Sequence, residues 1–313
     1  MPSRPAHASS VIRRCLVGAA VAVALALGLT AAPGIAAASS PSPSPSATPL
    51  WAMPQTGDLL AAFTRSEYDE QDGTPQQVPS PDQPGAQAVQ FTVPGGGQRS
   101  EMRPRIPWLH EGDVQYYTYV ARLPDAFPTE ADTWQLLMQW HQTSDSGSPP
   151  IAVEVRNNRL MLATEGSDLQ DIGPIAAGDR IDLTLRIAFS RDADQGSIDI
   201  WRDGDHVLPG YRPSGGTLVD DGSYMKVGIY RDTSIEETGR LSLEDLRAGP
   251  TLASVRSPDS ASSRIPADSD PTGAPGGSGS SSSGDTLTWV AGGLLVVVVA
   301  LAVVSLRRRR TSA

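Results

Sequence analysis

Ile181-Asp182-Leu183-Thr184-Leu185-Arg186-Ile187 alternates apolar and polar residues without a break. Side chains two apart share one face of a strand, so this stretch predicts a strand with one face in a core and the other turned away from it. The pattern extends outward in both directions. Val114-Gln115-Tyr116-Tyr117-Thr118-Tyr119-Val120-Ala121 and Trp134-Gln135-Leu136-Leu137-Met138-Gln139-Trp140-His141 are rich in residues that fit a pleated sheet. Ser197-Ile198-Asp199-Ile200-Trp201-Arg202 runs into Asp203-Gly204, a dipeptide that favours a tight hairpin turn. Segments at 89–93, 151–155 and 159–163 continue the series. Short strands divided by Gly, Pro and Asp turns, with almost no amphipathic helical stretch, predict an all-β sandwich.

That domain covers residues 50–250 and lies between segments of different character. Arg4, Arg13 and Arg14 precede an apolar run from Leu16 to Leu29, and Ala36-Ala37-Ala38 offers small residues for cleavage. Residues 1–38 therefore predict a signal peptide, and Arg13-Arg14 fits a twin-arginine route as well as the general one. Residues 39–49 form a Pro/Ser linker, and the Ser/Pro/Gly/Asp-rich residues 251–286 predict a disordered stalk. Leu287 to Leu306 carries no charge and has the length of a transmembrane helix. Arg307 to Arg310 open the short tail 307–313, which the positive-inside rule places in the cytoplasm. The expectation is a single-pass cell-membrane protein, monomeric, with its β-domain outside the cell. No Leu-Pro-x-Thr-Gly sorting motif precedes the span.

Composition narrows the chemistry. Cys15, the one cysteine, lies in the signal segment, so the mature chain offers no disulfide, thiolate nucleophile or Cys-ligated metal. A formal charge of −10 argues against nucleic acid as a partner. It also implies that a site for an anionic ligand must concentrate positive charge locally.

Three segments place polar residues on one strand face. In Arg99-Ser100-Glu101-Met102-Arg103 the residues Arg99, Glu101 and Arg103 point one way. Gln139 and His141 share a face, with Trp140 expected behind them beside Leu136 and Met138. In Tyr224-Met225-Lys226-Val227-Gly228-Ile229-Tyr230, Tyr224, Lys226 and Tyr230 line one side while Met225, Val227 and Ile229 line the other. Any half-exposed antiparallel strand alternates in this way. The choice of residues goes further, because Lys226 is the chain's one lysine and His141 is one of four histidines. His110 and His206 lie beside predicted turns and read as surface residues.

In this order and spacing, the three segments resemble the signature strands of the β-jelly-roll polysaccharide lyases. The alginate-lyase branch carries Arg-Ser/Thr-Glu-Leu-Arg, Gln-Ile/Val-His and Tyr-Phe-Lys-Ala-Gly-x-Tyr, and the heparin-lyase-like and glucuronan-lyase-like relatives carry Gln-Trp-His. The resemblance spans about residues 57–248, with Met102 for Leu and Met225 for Phe as the departures. It implies a concanavalin-like β-jelly-roll and β-elimination at a uronic acid of an anionic polysaccharide, with no cofactor.

On that resemblance, Gln139, His141, Tyr224 and Arg103 form the catalytic set, and Arg99, Glu101, Lys226 and Tyr230 bind substrate. Elimination requires the uronate charge to be neutralised before the C5 proton can leave. Gln139 can donate two N–H bonds, and Arg99 or Arg103 can grip the carboxylate with a paired fork. Each donor aimed at the developing enolate is worth about 3–4 kcal/mol. Tyr224 would protonate the leaving oxygen, and either His141 or Tyr224 would take the C5 proton. Glu101 would orient an arginine, Lys226 would screen a Tyr224 phenolate or hold substrate, and Tyr230 would line a subsite or make a structural hydrogen bond. Tyr117 and Tyr119 offer sugar-stacking surface or core packing.

Two other function classes compete. A glycoside hydrolase would need paired carboxylates, and Glu67-Tyr68-Asp69-Glu70 does not match the Glu-x-Asp-x-x-Glu strand expected for one. A non-catalytic carbohydrate-binding concanavalin-like module remains open, since a fold does not prove chemistry. Asp203-Gly204-Asp205 and Asp220-Asp221 lack a calcium-loop pattern and read as solvated turns, so no metal is expected.

Overall fold

Alternating residues, half of them apolar, are best served when two sheets bury one face each against the other. The computed structural model describes residues 48–68, 73–144, 147–165, 168–269 and 271, and they take that arrangement. In chain order the strands are β1 (Trp51–Ala52), β2 (Phe63–Tyr68), β3 (Gln76–Pro79), β4 (Gln87–Val93), β5 (Arg99–Pro104), β6 (Val114–Arg122), β7 (Gln135–Gln142) and β8 (Ile151–Arg156). They continue as β9 (Arg159–Thr164), β10 (Asp168–Pro174), β11 (Arg180–Ala188), β12 (Ser197–Arg202), β13 (Asp205–Tyr211), β14 (Ser223–Arg231) and β15 (Gly239–Gly249). One sheet runs β13-β12-β11-β6-β15-β4-β3 with β1 added beside β15. The other runs β10-β9-β8-β7-β14-β5-β2, giving an all-antiparallel, jelly-roll-like sandwich.

The expected strands form, and the Asp203-Gly204 hairpin joins β12 to β13 with φ of 54° and 92°. Positive φ at both central residues is what a type I′ turn requires. The central strand β15 was not anticipated. Glu244 and Asp245 interrupt its apolar pattern, and a register shift between Leu243 and Asp245 accommodates them. Both acids are buried yet partnered: Glu244 accepts from Ser80 Oγ at 2.6 Å, and Asp245 pairs with Arg247 at 3.1 Å.

Tyr117 and Tyr119 are fully buried between the sheets, which removes both as sugar-stacking surface. A bulge also changes one strand face. Between Met138 and Leu136, β7 carries an extra residue against β8, so Leu137 and Met138 both enter the core while Leu136 faces outward. The expected packing of Leu136 behind Trp140 is thereby corrected.

The stalk expected from residue 251 is corrected over its first part. Tyr116 and Trp201 project from the outer face of the larger sheet, and Leu252, Val255 and Ile265 cover them as a second buried cluster. A four-residue helix, α1 (Leu252–Val255), begins this strap with a reciprocal Thr251–Ser254 capping box. Asp182 then accepts from Ser260 Oγ and the Ala261 amide, both at 2.8 Å, and fixes the strap to β11. Three apolar residues spread through a Ser-rich segment were enough to fold it against the two exposed rings. The signal segment, most of the linker, nearly all of the stalk beyond 269, the Leu287–Leu306 span and the tail lie outside the described residues. No helix among the described residues is long and apolar enough to cross a membrane.

Candidate active site

The seven-stranded sheet carries a groove of about 1100 Å³ on the face turned away from the core. Strand pairing brings the three sequence segments together there. Across β14 and β7, Tyr224 lies opposite His141 and Lys226 opposite Gln139. Across β14 and β5, Tyr230 lies opposite Arg99 and Gly228 opposite Glu101. Gly228 is required at its position, because a Cβ would stand 2.2 Å from the Ser100 carbonyl oxygen and its φ is +136°. The absence of a side chain lets β14 and β5 approach closely beneath the groove.

At one end, the His141 and Tyr224 rings stack with centroids 5.5 Å apart. The Arg103 guanidinium lies over the other ring partners, 3.7 Å from the Tyr224 centroid and 5.9 Å from that of Trp108. Nδ1 of His141 is 2.9 Å from the Gln142 carbonyl oxygen. A carbonyl can only accept, so Nδ1 carries the proton and Nε2 carries the lone pair. Burial holds the His141 pKa below its usual 6.5, against the Gln142 bond, and the charges of Lys226 and Arg99 act in the same direction as burial. The imidazole is therefore neutral at neutral pH, in the form a base needs.

Beneath the middle of the groove lies a connected polar network. Gln139 Nε2 donates to Glu101 Oε1 at 2.6 Å, and Glu101 Oε2 is 3.2 Å from Arg99 Nε. Glu67 Oε2 then joins Arg99 at 3.0 Å to Lys226 at 2.8 Å. Burial is the main influence on Glu101 and raises its pKa, although Gln139, Lys226 and Arg99 all favour its charged form. Two expectations change here. Gln139 does not offer both N–H bonds to a ligand, because one is engaged by Glu101. Glu101 is buried behind Gln139 and, unlike Gln139, does not line the groove, so it is not placed to touch substrate. It holds Arg99, the arginine-orienting role expected of it.

The other expected site residues line the groove: Arg99, Arg103, Gln139, His141, Tyr224, Lys226 and Tyr230. Tyr230 takes the lining role, with Arg99 4.1 Å above its ring centroid and Trp134 4.8 Å away. Four further features went unanticipated. Glu67 comes from edge strand β2, outside the three segments. Trp108, 49% exposed, comes from the loop after β5. Trp134 precedes β7, and the Glu154–Arg156 ion pair at 3.0 Å comes from β8. A tryptophan directly after Ile106-Pro107, outside the predicted strands, was the one signal the sequence offered among them. His110 and His206 are both exposed, as expected, and His206 in addition stacks on Trp201 at 4.3 Å and pairs with Asp199.

The rim beyond His141 is tied down by Asp220. Its carboxylate accepts from the Thr143 amide and hydroxyl and from the Ser144 and Gly222 amides. Burial would raise its pKa, but these bonds outweigh it and hold Asp220 well below the usual carboxylate range. Among the described residues, no cluster of three or more His, Cys, Asp or Glu is arranged to hold a metal ion.

The sequence model of a family described as polysaccharide lyase matches residues 55–243. Among solved structures, the chain is similar to an endo-β-1,4-glucuronan lyase from the fungus Trichoderma reesei. The two are 20% identical with a TM-score of 0.54, over 66% of this chain and 98% of that one. A marine alginate lyase from Zobellia galactanivorans is 17% identical with a TM-score of 0.37, over 51% of this chain and 76% of that one. No match was found among the curated proteins.

Proposed function

The chain belongs to the polysaccharide lyase family, and we propose that it cleaves a uronic-acid-containing polysaccharide by β-elimination, leaving an unsaturated uronate end. The observation that carries this reading is the neutral His141, stacked on Tyr224 beneath the Arg103 guanidinium. Arg103 grips the uronate carboxylate and offsets its charge, which makes the C5 proton acidic enough to remove. Arg99 is the weaker choice for this task because Glu101 and Glu67 already engage it. Gln139 adds what remains of its amide from the groove floor.

His141 Nε2 then takes the C5 proton, and the electron pair moves into the carboxylate as an enolate. As that charge returns, the C4–O bond breaks and Tyr224 gives its proton to the departing oxygen. The product end carries a C4–C5 double bond conjugated with the carboxylate. A proton passing from His141 to Tyr224 restores both groups, which stand side by side. Lys226 and Arg103 stabilise negative charge on Tyr224 in the interval. We also assign the domain to the outside of the cell, held by the Leu287–Leu306 segment ahead of Arg307–Arg310. Protease treatment of intact cells should digest the domain, and protection from protease would overturn that placement.

Incubating the purified chain with alginate, glucuronan and heparin-like polymers tests the chemistry. New ultraviolet absorbance from the conjugated double bond is expected with at least one of them. His141→Ala and Tyr224→Phe should each abolish it while leaving the thermal unfolding transition in place. Binding without absorbance would identify a carbohydrate-binding module, and new reducing ends without absorbance a hydrolase. Full activity in both variants would remove these residues from the mechanism.

A further inference from the structure

Resting on the β-elimination reading above, we propose that the groove selects an unsulfated polysaccharide of low charge density, with neutral sugars flanking the reacting uronate, and that Glu67 and Glu154 enforce this choice. A groove built for a densely charged polyanion displays unpaired cations along its length. This one does not. Its wall carries four cations, Arg99, Arg103, Arg156 and Lys226. Among the described residues, the same wall carries the carboxylates Glu67, Glu154 and Glu165, with Glu101 directly beneath.

The pairing is specific. One oxygen of Glu67 binds both Arg99 and Lys226, at 3.0 and 2.8 Å. Glu154, 3% exposed, holds Arg156 at 3.0 Å. Arg103 makes no ion pair among the described residues and rests on aromatic faces beside His141 and Tyr224. One carboxylate is thus accommodated at the reacting position. A second carboxylate or a sulfate farther along would meet a cation whose charge is already offset and an acid that repels it.

The flanks offer a different kind of contact. Arg103 and Arg99 cover the Tyr224 and Tyr230 rings, so the faces on offer are those of Trp108, 49% exposed beside Tyr224, and of the half-buried Trp134 beside Tyr230, with the two tyrosines roughly 20 Å apart along β14 at strand rise. Aromatic faces suit the C–H faces of neutral sugar rings and require no counter-charge. The wider field agrees, since the chain's formal charge is −10 even with seven arginines in its terminal segments.

The test uses the purified full chain and three polymers: glucuronan, an unsulfated polymer in which glucuronate alternates with a neutral hexose, and a sulfated form of the latter. Initial rates are read from double-bond absorbance at low and moderate salt. The alternating unsulfated polymer should give the highest kcat/KM, roughly tenfold above its sulfated form, and should vary less than about twofold with salt. Glu67→Gln removes the charge that offsets Lys226 and leaves Arg99 paired with Glu101, so it should raise the relative kcat/KM on glucuronan several-fold and steepen its fall with salt. Glu67→Asp should keep the original ranking, and Glu154→Gln should shift it in the same direction as Glu67→Gln. A wild-type preference for the sulfated or fully charged polymer overturns the proposal, as does an unchanged ranking and salt slope in both Gln variants. No absorbance with any polymer would instead refute β-elimination itself, and this proposal with it.

Discussion

Arg99 and Arg103 lie on the same face of β5, yet removing each should fail in a different way. Arg103 has no ion-pair partner among the described residues and lies 3.7 Å above the Tyr224 ring, so Arg103→Ala strips charge from the reacting position without orphaning a buried acid. Loss of one preorganised donor to a developing oxyanion costs about 2.7–4 kcal/mol, or 10²–10³ in kcat. The melting temperature should stay within a degree or two. Arg103→Lys keeps the charge but loses the fork and the planar stacking, and should fall between. Arg99→Ala leaves Glu101, 2% exposed, with its Gln139 bond but without its adjacent cation. A buried acid that loses one partner costs about 1–3 kcal/mol, discounted because Arg99 itself is partly exposed. For a domain of this size that is a fall of roughly 3–10 °C, with a smaller loss of kcat. Scanning calorimetry and initial rates on the same preparations separate the two. Collapse of kcat in Arg99→Ala at an unchanged melting temperature, with Arg103→Ala nearly normal, would reverse the assignment of the carboxylate grip.

A base acts deprotonated, so kcat/KM should fall as pH drops through the His141 value, which burial places below 6.5. An acid limb below pH 6.5 in a pH–rate profile is therefore expected, whereas activity that rises only well above neutrality would make Tyr224 the base. Gly228→Ala should cost about 2–4 kcal/mol in urea unfolding, because its Cβ would collide with the β5 backbone at 2.2 Å; an unchanged midpoint would refute the close-approach account. Ile265→Ala should cost about 2–4 kcal/mol by opening the second cluster. A chain ending at Pro250 should bind an apolar dye through Tyr116 and Trp201, and a compact, dye-free truncation would return residues 251–269 to the status of a linker.

The period-two pattern located most of the sandwich because burial on one face leaves a mark at every second residue. It missed β15, where buried acids satisfied by Ser80 and Arg247 look like surface in sequence. It also misassigned Leu136, since a bulge shifts the side-chain face from that point on while leaving the residue types unchanged. Strand parity brought seven expected residues to one groove because they lie on three adjacent strands, with β14 paired to β7 on one side and to β5 on the other. Glu101 shared that parity but does not line the groove. Parity gives direction and says nothing of depth, which here depends on the Gln139 and Arg99 side chains above and beside it. Glu67 and Glu154 were illegible for another reason: their partners lie on other strands or beside them in a groove that exists only after folding.

The acidic balance of the chain first suggested that a site for an anion must gather cations against the surrounding field. The folded groove meets that demand by a narrower route. Four cations reach it, but Glu67 restrains two and Glu154 a third, leaving Arg103 at the stacked His141–Tyr224 pair. Charge is thereby confined to the position where elimination needs it. Uniform attraction along the groove would bind ground state and transition state alike and would not speed the chemical step. In the proposed elimination, the Arg103 guanidinium, which has no ion-pair partner among the described residues, would act at the reacting carboxylate where the enolate develops. On that proposal, the carboxylates that offset its neighbours would contribute to selectivity by keeping the rest of the groove electrically quiet.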